Sequence, residues 1–279
     1  MQVGVSMWSF VSHFQQGKMD VLSFLDKAKE LGADGVELLD YFWKDKDSEL
    51  PKVLDKVKAL DLTVGSFAIG NDLSAPDEAE RKKQVQSIKD GVDTAVTLGT
   101  TKLRVFAGHH DEVGFEKALG WIIEGLKEGA AYAEQKGVTL CLENHGTMAG
   151  RGEQVKQIID AVGSPALMAN PDTGNFMTVN QDSVEAVKIV APFTGSVHFK
   201  DFRWAKPEET EHVYEGLNGS RIIGTAIGEG DVDLPKVVQA LRDAGYQGFL
   251  TIEYEGVEDP ETAMPRSVEN TRRLAKGDV

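Results

Sequence analysis

The sequence predicts an α/β protein built as a single (β/α)₈ TIM barrel, and two observations lead to that fold class. Short apolar runs alternate with segments in which apolar residues recur every three or four positions, and this alternation repeats eight times. Such alternation is typical of parallel strands joined by helical crossovers. The chain has 279 residues, which is close to the about 250 residues of a typical barrel. Residues 1–279 are therefore predicted to form one domain.

The first four strand–helix units follow one another without interruption. Strands are predicted at 3–8, 35–39, 62–69 and 102–107, because each is a short apolar run. The first helix shows the helical spacing most clearly, with Asp20 as its N-cap, Gly32 at its end, and apolar residues at Val21, Phe24, Leu25, Ala28 and Leu31. The same spacing predicts further helices over 53–60, 85–96 and 118–133.

The second half of the chain repeats the pattern with one interruption. Strands are predicted at 138–143, 166–172, 196–200 and 249–253, and helices at 155–162, 184–190, 237–244 and 263–274. An insertion over 203–230 precedes the seventh helix, and we interpret it as a lid or a contact segment. A doubly wound open sheet is the alternative fold, but the Gly-rich phosphate turn that it needs is missing after the first strand.

The charge balance and the cysteine count exclude several classes of function. The chain carries 30 Lys and Arg against 45 Asp and Glu, a formal net charge of −15. This charge disfavours nucleic acid and anionic membranes as partners, because both require cationic residues. Cys141 is the single cysteine, so an internal disulfide and a cysteine-based zinc site are excluded. The sequence shows neither a signal peptide nor a membrane-spanning run, which favours a cytoplasmic protein.

Four ionisable residues lie on successive predicted strands, at or near their carboxyl ends, where barrels collect their chemistry. Three unpaired carboxylates near one another would repel and take up protons, and a divalent cation would remove that problem. Oxygen donors with one imidazole suit Mn²⁺, Mg²⁺ or Co²⁺. The sequence therefore predicts a metal site formed by Glu143, Asp172, His198 and Glu253.

Aromatic and histidine residues also gather near strand ends. The aromatic set at the ends of the first two strands either packs in the core or forms an apolar wall for a sugar ring: Trp8, Phe10, Tyr41, Phe42 and Trp43. Trp8 is kept as a candidate substrate-binding residue. His109 and His110 follow the fourth strand and are interpreted as solvated loop residues.

At these strand ends the sequence resembles the sugar phosphate isomerase/epimerase family, the xylose-isomerase-like TIM barrels. The resemblance covers essentially the whole chain, and it is carried by Leu142-Glu143-Asn144-His145-Gly146, Asn170-Pro171-Asp172-Thr173-Gly174-Asn175, His198-Phe199-Lys200-Asp201, Gly228-Glu229-Gly230-Asp231-Val232-Asp233 and Leu250-Thr251-Ile252-Glu253. It implies a divalent metal, most often manganese, held by the residues that match Glu143, Asp172, His198 and Glu253. It also implies that Glu143 and Glu253 act as the acid/base pair.

The resemblance suggests further site residues. His145 lies in a segment that recurs in relatives thought to handle oxidised sugars, and it is a candidate base or carbonyl-polarising group. Lys200 is a candidate for proton delivery or leaving-group assistance. Asn175 stands where many epimerases carry a His, which weakens the case for a ketose 3-epimerase. The residues expected to bind substrate are Trp8, Asn144, Asn175, Lys200 and Arg203.

The predicted function is a divalent-metal-dependent isomerase or epimerase of a small, uncharged sugar or keto-sugar, acting through an enediolate intermediate. A metal-dependent lyase or dehydratase on a keto-sugar or keto-glycoside shares that intermediate and stays open as the alternative. A DNA-cleaving relative with three zinc ions is disfavoured by the charge and by Asn175. A non-catalytic sugar-binding barrel also stays open. A homo-oligomer is predicted from analogy with the fold alone.

Overall fold

A computed structural model describes residues 1–277 and confirms the TIM barrel. Within these residues the chain forms eleven strands: β1 (Gln2–Ser6), β2 (Gly35–Leu39), β3 (Thr63–Ala68), β4 (Lys102–Val105), β5 (Thr139–Glu143), β6 (Leu167–Asn170), β7 (His198–Phe199), β8 (Asp201–Trp204), β9 (Tyr214–Glu215), β10 (Arg221–Thr225) and β11 (Phe249–Ile252). The barrel consists of β1–β7 and β11, which pair in parallel in the order β6-β5-β4-β3-β2-β1-β11-β7.

The sheet closes between β6 and β7. Parallel bridges join Ala169 to Thr194 and Asp172 to His198, and the Thr173 amide donates to the His198 carbonyl over 3.0 Å. The sixth strand is shorter than the sequence predicts and ends at Asn170. Asp172 therefore lies just beyond the strand, and the closing bridge holds it beside His198.

Nine α-helices lie in the described part of the chain: α1 (Val11–Gln15), α2 (Val21–Glu30), α3 (Lys46–Ala59), α4 (Glu78–Leu98), α5 (Phe115–Lys136), α6 (Gly152–Val162), α7 (Ser183–Val190), α8 (Leu234–Asp243) and α9 (Pro260–Lys276). Aspartates cap several of them, and Asp20 forms a capping box with Ser23 at the start of α2. Gly99 ends α4 in the left-handed region, with φ 75°. No helix within residues 1–277 combines the length and the apolarity needed to cross a membrane.

The segment predicted as an insertion forms a small antiparallel sheet. β8 follows β7 after one residue and pairs with β10, and β9 pairs with the other side of β10. This pairing satisfies backbone groups that a loop would leave to water. Asp201 and Phe202 at its base are buried, whereas Trp204 and Tyr214 are about half exposed.

The main apolar core lies between the strands and the surrounding helices, and it draws residues from all barrel strands. Close packing sets the distances there. A Cβ atom on Gly129 of α5 would lie 2.9 Å from Ile88 Cγ2 of α4, so glycine allows these helices to approach. The packed strands bring the side chains at their carboxyl ends to one place.

Candidate active site

Four buried side chains meet at the carboxyl end of the barrel. Each of Glu143, Asp172, His198 and Glu253 offers one ligand atom, and these atoms all lie within 4.8 Å of one another. His198 Nδ1 lies at the centre, 3.2 Å from Glu143 Oε2, 3.5 Å from Glu253 Oε1 and 4.0 Å from Asp172 Oδ2. The structure thus brings the four residues that the sequence predicted as metal ligands into one cluster.

Three atoms of this cluster are buried without a hydrogen-bond partner: Glu143 Oε2, Asp172 Oδ2 and His198 Nδ1. Buried polar atoms normally form hydrogen bonds, so atoms whose charged neighbours are not in hydrogen-bond geometry need a reason. All three can donate a lone pair, and carboxylate oxygens with an imidazole nitrogen form a donor set that divalent cations accept. The residues present therefore fit a divalent metal ion.

The two asparagines of the predicted site lie behind the ligand candidates. Asn144 Oδ1 accepts from the Asp172 amide over 2.6 Å, and its Nδ2 donates to the Asp172 carbonyl over 3.1 Å. Asn175 Nδ2 donates to Glu143 Oε1 over 3.2 Å, and its amide donates to Asp172 Oδ1 over 2.9 Å. These contacts can orient the two carboxylates, and the substrate contact expected of both asparagines stays a prediction.

The carboxylates were expected to be unpaired, but the ammonium group of Lys200 lies among them. Lys200 Nζ lies 2.7 Å from Glu253 Oε2, 3.0 Å from Asp172 Oδ2 and 3.4 Å from Glu255 Oε1. Burial opposes its charge, yet the neighbouring carboxylates raise the pKa of Lys200 well above its usual range. Although burial acts in the opposite direction, His198 and Lys200 together lower the pKa of Glu253 to about 2.

Two of the other three ligand candidates, Asp172 and His198, hold protons more strongly than usual. Burial, helped by Glu253 and Glu143 and opposed by Lys200, raises the pKa of Asp172 to about 7. Burial alone would lower the pKa of His198, but the surrounding carboxylates raise it well above its usual value. Lys200 and these protons offset part of the negative charge of the cluster.

Two charged residues beside the cluster received no role from the sequence. Glu37 on β2 accepts from His198 Nε2 over 3.0 Å. Arg104 on β4 places Nε 3.2 Å from Glu143 Oε2 and stacks its guanidinium 3.9 Å from the Phe106 ring centre. Each interrupts an apolar strand run, and a buried charge in such a run is the signal that could have identified it.

A cavity of about 400 Å³ opens in front of the cluster. Glu143, Glu253 and Lys200 line one part of it, and Asp172 and His198 lie behind them. The rest of the wall combines aromatic, imidazole and acidic side chains, among them Trp8, Tyr41, Phe106, His109, His145, Asp40 and Glu255. A concave site that combines aromatic side chains with titratable groups of shifted pKa is a candidate binding site for a small polar molecule.

Two histidines form one side of this wall. The rings of His109 and His145 meet edge to face with centroids 5.2 Å apart, and Phe106 lies 4.8 Å from His145. His145 Nδ1 is buried without a hydrogen-bond partner. Burial and the neighbouring His145 lower the pKa of His109. The interpretation of His109 as a solvated loop residue therefore needs correction, because its ring lines the cavity.

The aromatic set divides between the wall and the packing behind it. Trp8 and Tyr41 line the cavity, and Trp8 Nε1 donates to Glu255 Oε1 over 2.5 Å. Phe10 is fully buried in the core, and Phe42 stacks on Phe14 with ring centroids 4.4 Å apart. Part of the set thus packs in the core and part lines the cavity, and contact of Trp8 with a sugar ring stays a prediction.

Arg203 lies away from the cavity lining. Its guanidinium forms two hydrogen bonds with Glu209, of 2.8 Å and 2.7 Å, on the small antiparallel sheet. The substrate contact expected for Arg203 is therefore not supported in this structure, because the extended β8 carries the side chain away from the cavity and Glu209 neutralises it.

Comparison with known proteins agrees with this architecture. An inosose dehydratase of Clostridium perfringens is 29% identical over 149 residues, which cover 52% of this chain and 49% of that protein, so the chain spans about half the length of this curated relative. The structure of IolI protein with a bound zinc atom superposes with a TM-score of 0.77 at 16% identity, covering 100% of this chain and 98% of that one. The structure of the Escherichia coli 3-keto-D-glucoside 4-epimerase YcjR superposes with a TM-score of 0.74 at 16% identity, covering 99% of both chains.

These structural likenesses show the shared fold, and the relatives named are enzymes and a zinc-binding protein. The family described as "Xylose isomerase-like TIM barrel" matches residues 25–274, nearly the whole chain. This protein therefore belongs to the xylose isomerase-like TIM barrel family.

Proposed function

We propose that this protein is a divalent-metal-dependent isomerase or epimerase of a small sugar or keto-sugar. Glu143, Asp172, His198 and Glu253 would hold the metal, for which Mn²⁺ is our first choice and Mg²⁺ or Co²⁺ the alternatives. A divalent cation at such a site offsets the negative charge that develops on a substrate oxygen when a neighbouring carbon loses a proton.

One observation carries this proposal: two of the four ligand candidates also face the cavity. Glu143 and Glu253 line it, whereas Asp172 and His198 lie behind. One carboxylate can take the proton from the carbon next to a carbonyl group, and the other can return a proton. Return to the opposite face of the same carbon gives an epimer, and return to the adjacent carbon gives an isomer.

Other residues that line the cavity have side chains suited to particular roles in the reaction. The Lys200 ammonium stays charged beside Glu253 and keeps that carboxylate ionised, ready to accept a proton. Arg104 does the same for Glu143, whose pKa is lowered by His198 and Arg104 despite its burial. His145 also lines the cavity, where it can hydrogen-bond a substrate carbonyl or hydroxyl group. Trp8 offers an apolar face for a sugar ring.

A dehydratase acting on a keto-sugar is the second candidate, and Lys200 favours it. Its buried ammonium lines the cavity within 3.4 Å of Glu255, where it can protonate a hydroxyl group that leaves from the carbon next to the one deprotonated. The products are then an unsaturated ketone and water. The curated relatives named as inosose dehydratases support this candidate.

Metal binding is the first test. The purified chain, stripped with a chelator and titrated with Mn²⁺, is expected to bind about one ion per chain. Asp172→Asn should remove most of this binding, whereas Glu255→Gln, which changes a cavity carboxylate outside the cluster, should retain it. A stripped wild-type chain that binds no divalent ion, or an Asp172→Asn variant that binds as wild type does, would refute the site.

Solvent deuterium distinguishes the reactions. The Mn²⁺-loaded chain is incubated in D₂O with a panel of keto-sugars that includes 3-keto-glucosides and inososes. A product that retains the substrate's formula but carries one carbon-bound deuterium supports the isomerase or epimerase. A product lighter by one water identifies the dehydratase. If the metal-loaded chain neither converts any substrate of the panel nor introduces deuterium into it, the result favours the non-catalytic sugar-binding barrel.

A further inference from the structure

Glu37 is a buried carboxylate that has no role in the proposed reaction. It lies in β2 between Val36 and Leu38 and is 1% exposed. A carboxylate in such surroundings destabilises a fold unless partners compensate for the lost water. The partners of Glu37 therefore indicate why the barrel holds a charge there.

Three neighbours from three other strands hold the Glu37 carboxylate in place. Ser6 on β1 donates to Oε1 over 2.9 Å, and Ser66 on β3 donates to Oε2 over 2.8 Å. His198 on β7 completes the set, with Nε2 3.0 Å from Oε2. Because both hydroxyl groups stand on barrel strands, the carboxylate has little freedom to turn away from His198.

This arrangement determines which nitrogen of His198 faces the ligand cluster. A carboxylate acceptor at Nε2 requires a proton on Nε2, so the lone pair of the neutral ring lies on Nδ1. Nδ1 is the atom without a hydrogen-bond partner, and it lies 3.2 Å from Glu143 Oε2 and 3.5 Å from Glu253 Oε1.

We propose that Glu37 is a positioning residue for the metal site: it fixes the tautomer and the orientation of His198 so that Nδ1 is the ligand. This inference rests on the proposed metal site and assigns a role within it to a residue that would not touch the metal. Carboxylates that accept from the second nitrogen of a metal-bound histidine fix the ring and raise its basicity, and their loss typically weakens metal binding about 10- to 100-fold.

The first test compares Mn²⁺ dissociation constants by calorimetry. Glu37→Gln keeps the size of the side chain but can turn its amide N–H toward Nε2, which favours the tautomer with its proton on Nδ1. We expect binding about 10- to 100-fold weaker than in the wild type. Ser66→Ala, which removes one of the two hydroxyl groups that hold Glu37, should weaken binding less. The matched control is Glu255→Gln, which should change the dissociation constant by less than about threefold.

A merely structural role for Glu37 gives a different result. In that case Glu37→Gln lowers the melting temperature equally with EDTA and with saturating Mn²⁺, and the dissociation constant stays within about twofold of the wild type. That outcome would overturn the inference while leaving the metal site intact. A wild-type chain that binds no metal overturns the proposed function itself, so the two failures are distinguishable.

A second measurement needs no substitution at Glu37 and covers the case in which Glu37→Gln does not fold. The ¹⁵N-labelled wild-type chain is loaded with diamagnetic Zn²⁺, and the ring nitrogens of His198 are identified by their absence in His198→Gln. We expect a metal-shifted Nδ1 and a protonated Nε2. A protonated Nδ1 with a metal-shifted Nε2 would contradict the inference.

Discussion

The two ends of the barrel both hold cavities, but their linings differ in kind. At the carboxyl end a cavity of about 400 Å³ is lined by charged side chains, among them Arg104, Glu143, Lys200, Glu253 and Glu255. At the amino end a cavity of about 270 Å³ is lined mainly by glycines and hydroxyl residues, among them Gly65, Gly195, Gly248, Thr63, Ser66, Ser196 and Thr251. The same eight strands thus carry binding groups at one end and packing groups at the other.

Phe249 illustrates what the amino end requires. Its ring lies so close to Gly35 that a Cβ atom there would be 2.6 Å from Phe249 Cε1 and 2.7 Å from the Thr63 carbonyl oxygen. The carboxyl end instead leaves three buried polar atoms of the cluster without hydrogen bonds. Unsatisfied groups mark functional positions, and tight packing marks positions that stabilise the fold. Four substitutions test this division.

Glu253→Gln is expected to have the largest effect, on turnover. It removes an acid/base group and a candidate ligand, so kcat with Mn²⁺ should fall about 10³-fold or more. The melting temperature in EDTA should change by only a few degrees. Glu269→Gln, at an exposed position of α9, is the control and should keep the wild-type activity. Activity of Glu253→Gln close to that of the wild type would refute the assignment of chemistry to this residue.

Gly35→Ala tests the amino end. The added methyl group collides with Phe249 and with the backbone of β3, and we expect a loss of about 1–3 kcal/mol in the free energy of unfolding. Mn²⁺ affinity of the folded variant should stay unchanged. Gly120→Ala, at an open position of α5, is the control and should stabilise by about 0.5–1 kcal/mol. A Gly35→Ala variant as stable as the wild type would show that the amino end is loosely packed.

Asp201 tests whether charge at the carboxyl end costs stability. Burial raises its pKa to about 6, although the amides of Gly228, Gly230 and Val232 oppose the shift. The folded state thus binds the proton more tightly than the unfolded state, where the pKa is about 3.8. The resulting stabilisation is full below pH 4 and is lost as the pH rises through 6.

Urea unfolding of the metal-free chain checks this pH dependence. Asp201→Asn cannot ionise, so the stability of the wild type relative to this variant should fall between pH 4 and pH 7.5, by on the order of 2 kcal/mol. The comparison cancels the titration of the other buried acids. A relative stability that is flat or rises with pH would contradict the expected direction.

Trp8→Ala should have the smallest effect. Trp8 forms part of the apolar wall, so its loss should raise KM about tenfold, or about 1.4 kcal/mol, with a smaller change in kcat. Tyr41→Ala is the control, because Tyr41 is 70% exposed and should contribute less. A fall in kcat with an unchanged KM would place Trp8 in the chemical step instead.

Most of the fold and the centre of the site follow from periodicity. Glu143, Asp172 and His198 lie one strand–helix unit apart, and parallel register then brings their side chains to the same end of the barrel. Arg203 lies outside what periodicity predicts. The expectation that Arg203 binds substrate came from the family resemblance and not from periodicity, and in the structure β8 pairs with β10 and directs the side chain to Glu209. Asn144 and Asn175 belong to the predicted region, and they contact ligand candidates.

Apolar periodicity and the order of the strands were enough to predict the barrel and the four residues that meet at its carboxyl end. The tertiary structure alone decided how their charges are balanced. Lys200 and Arg104 neutralise the acids, and Glu37 orients His198, through contacts between residues up to 161 positions apart. Such contacts depend on the distances between barrel strands and on burial, neither of which local sequence records.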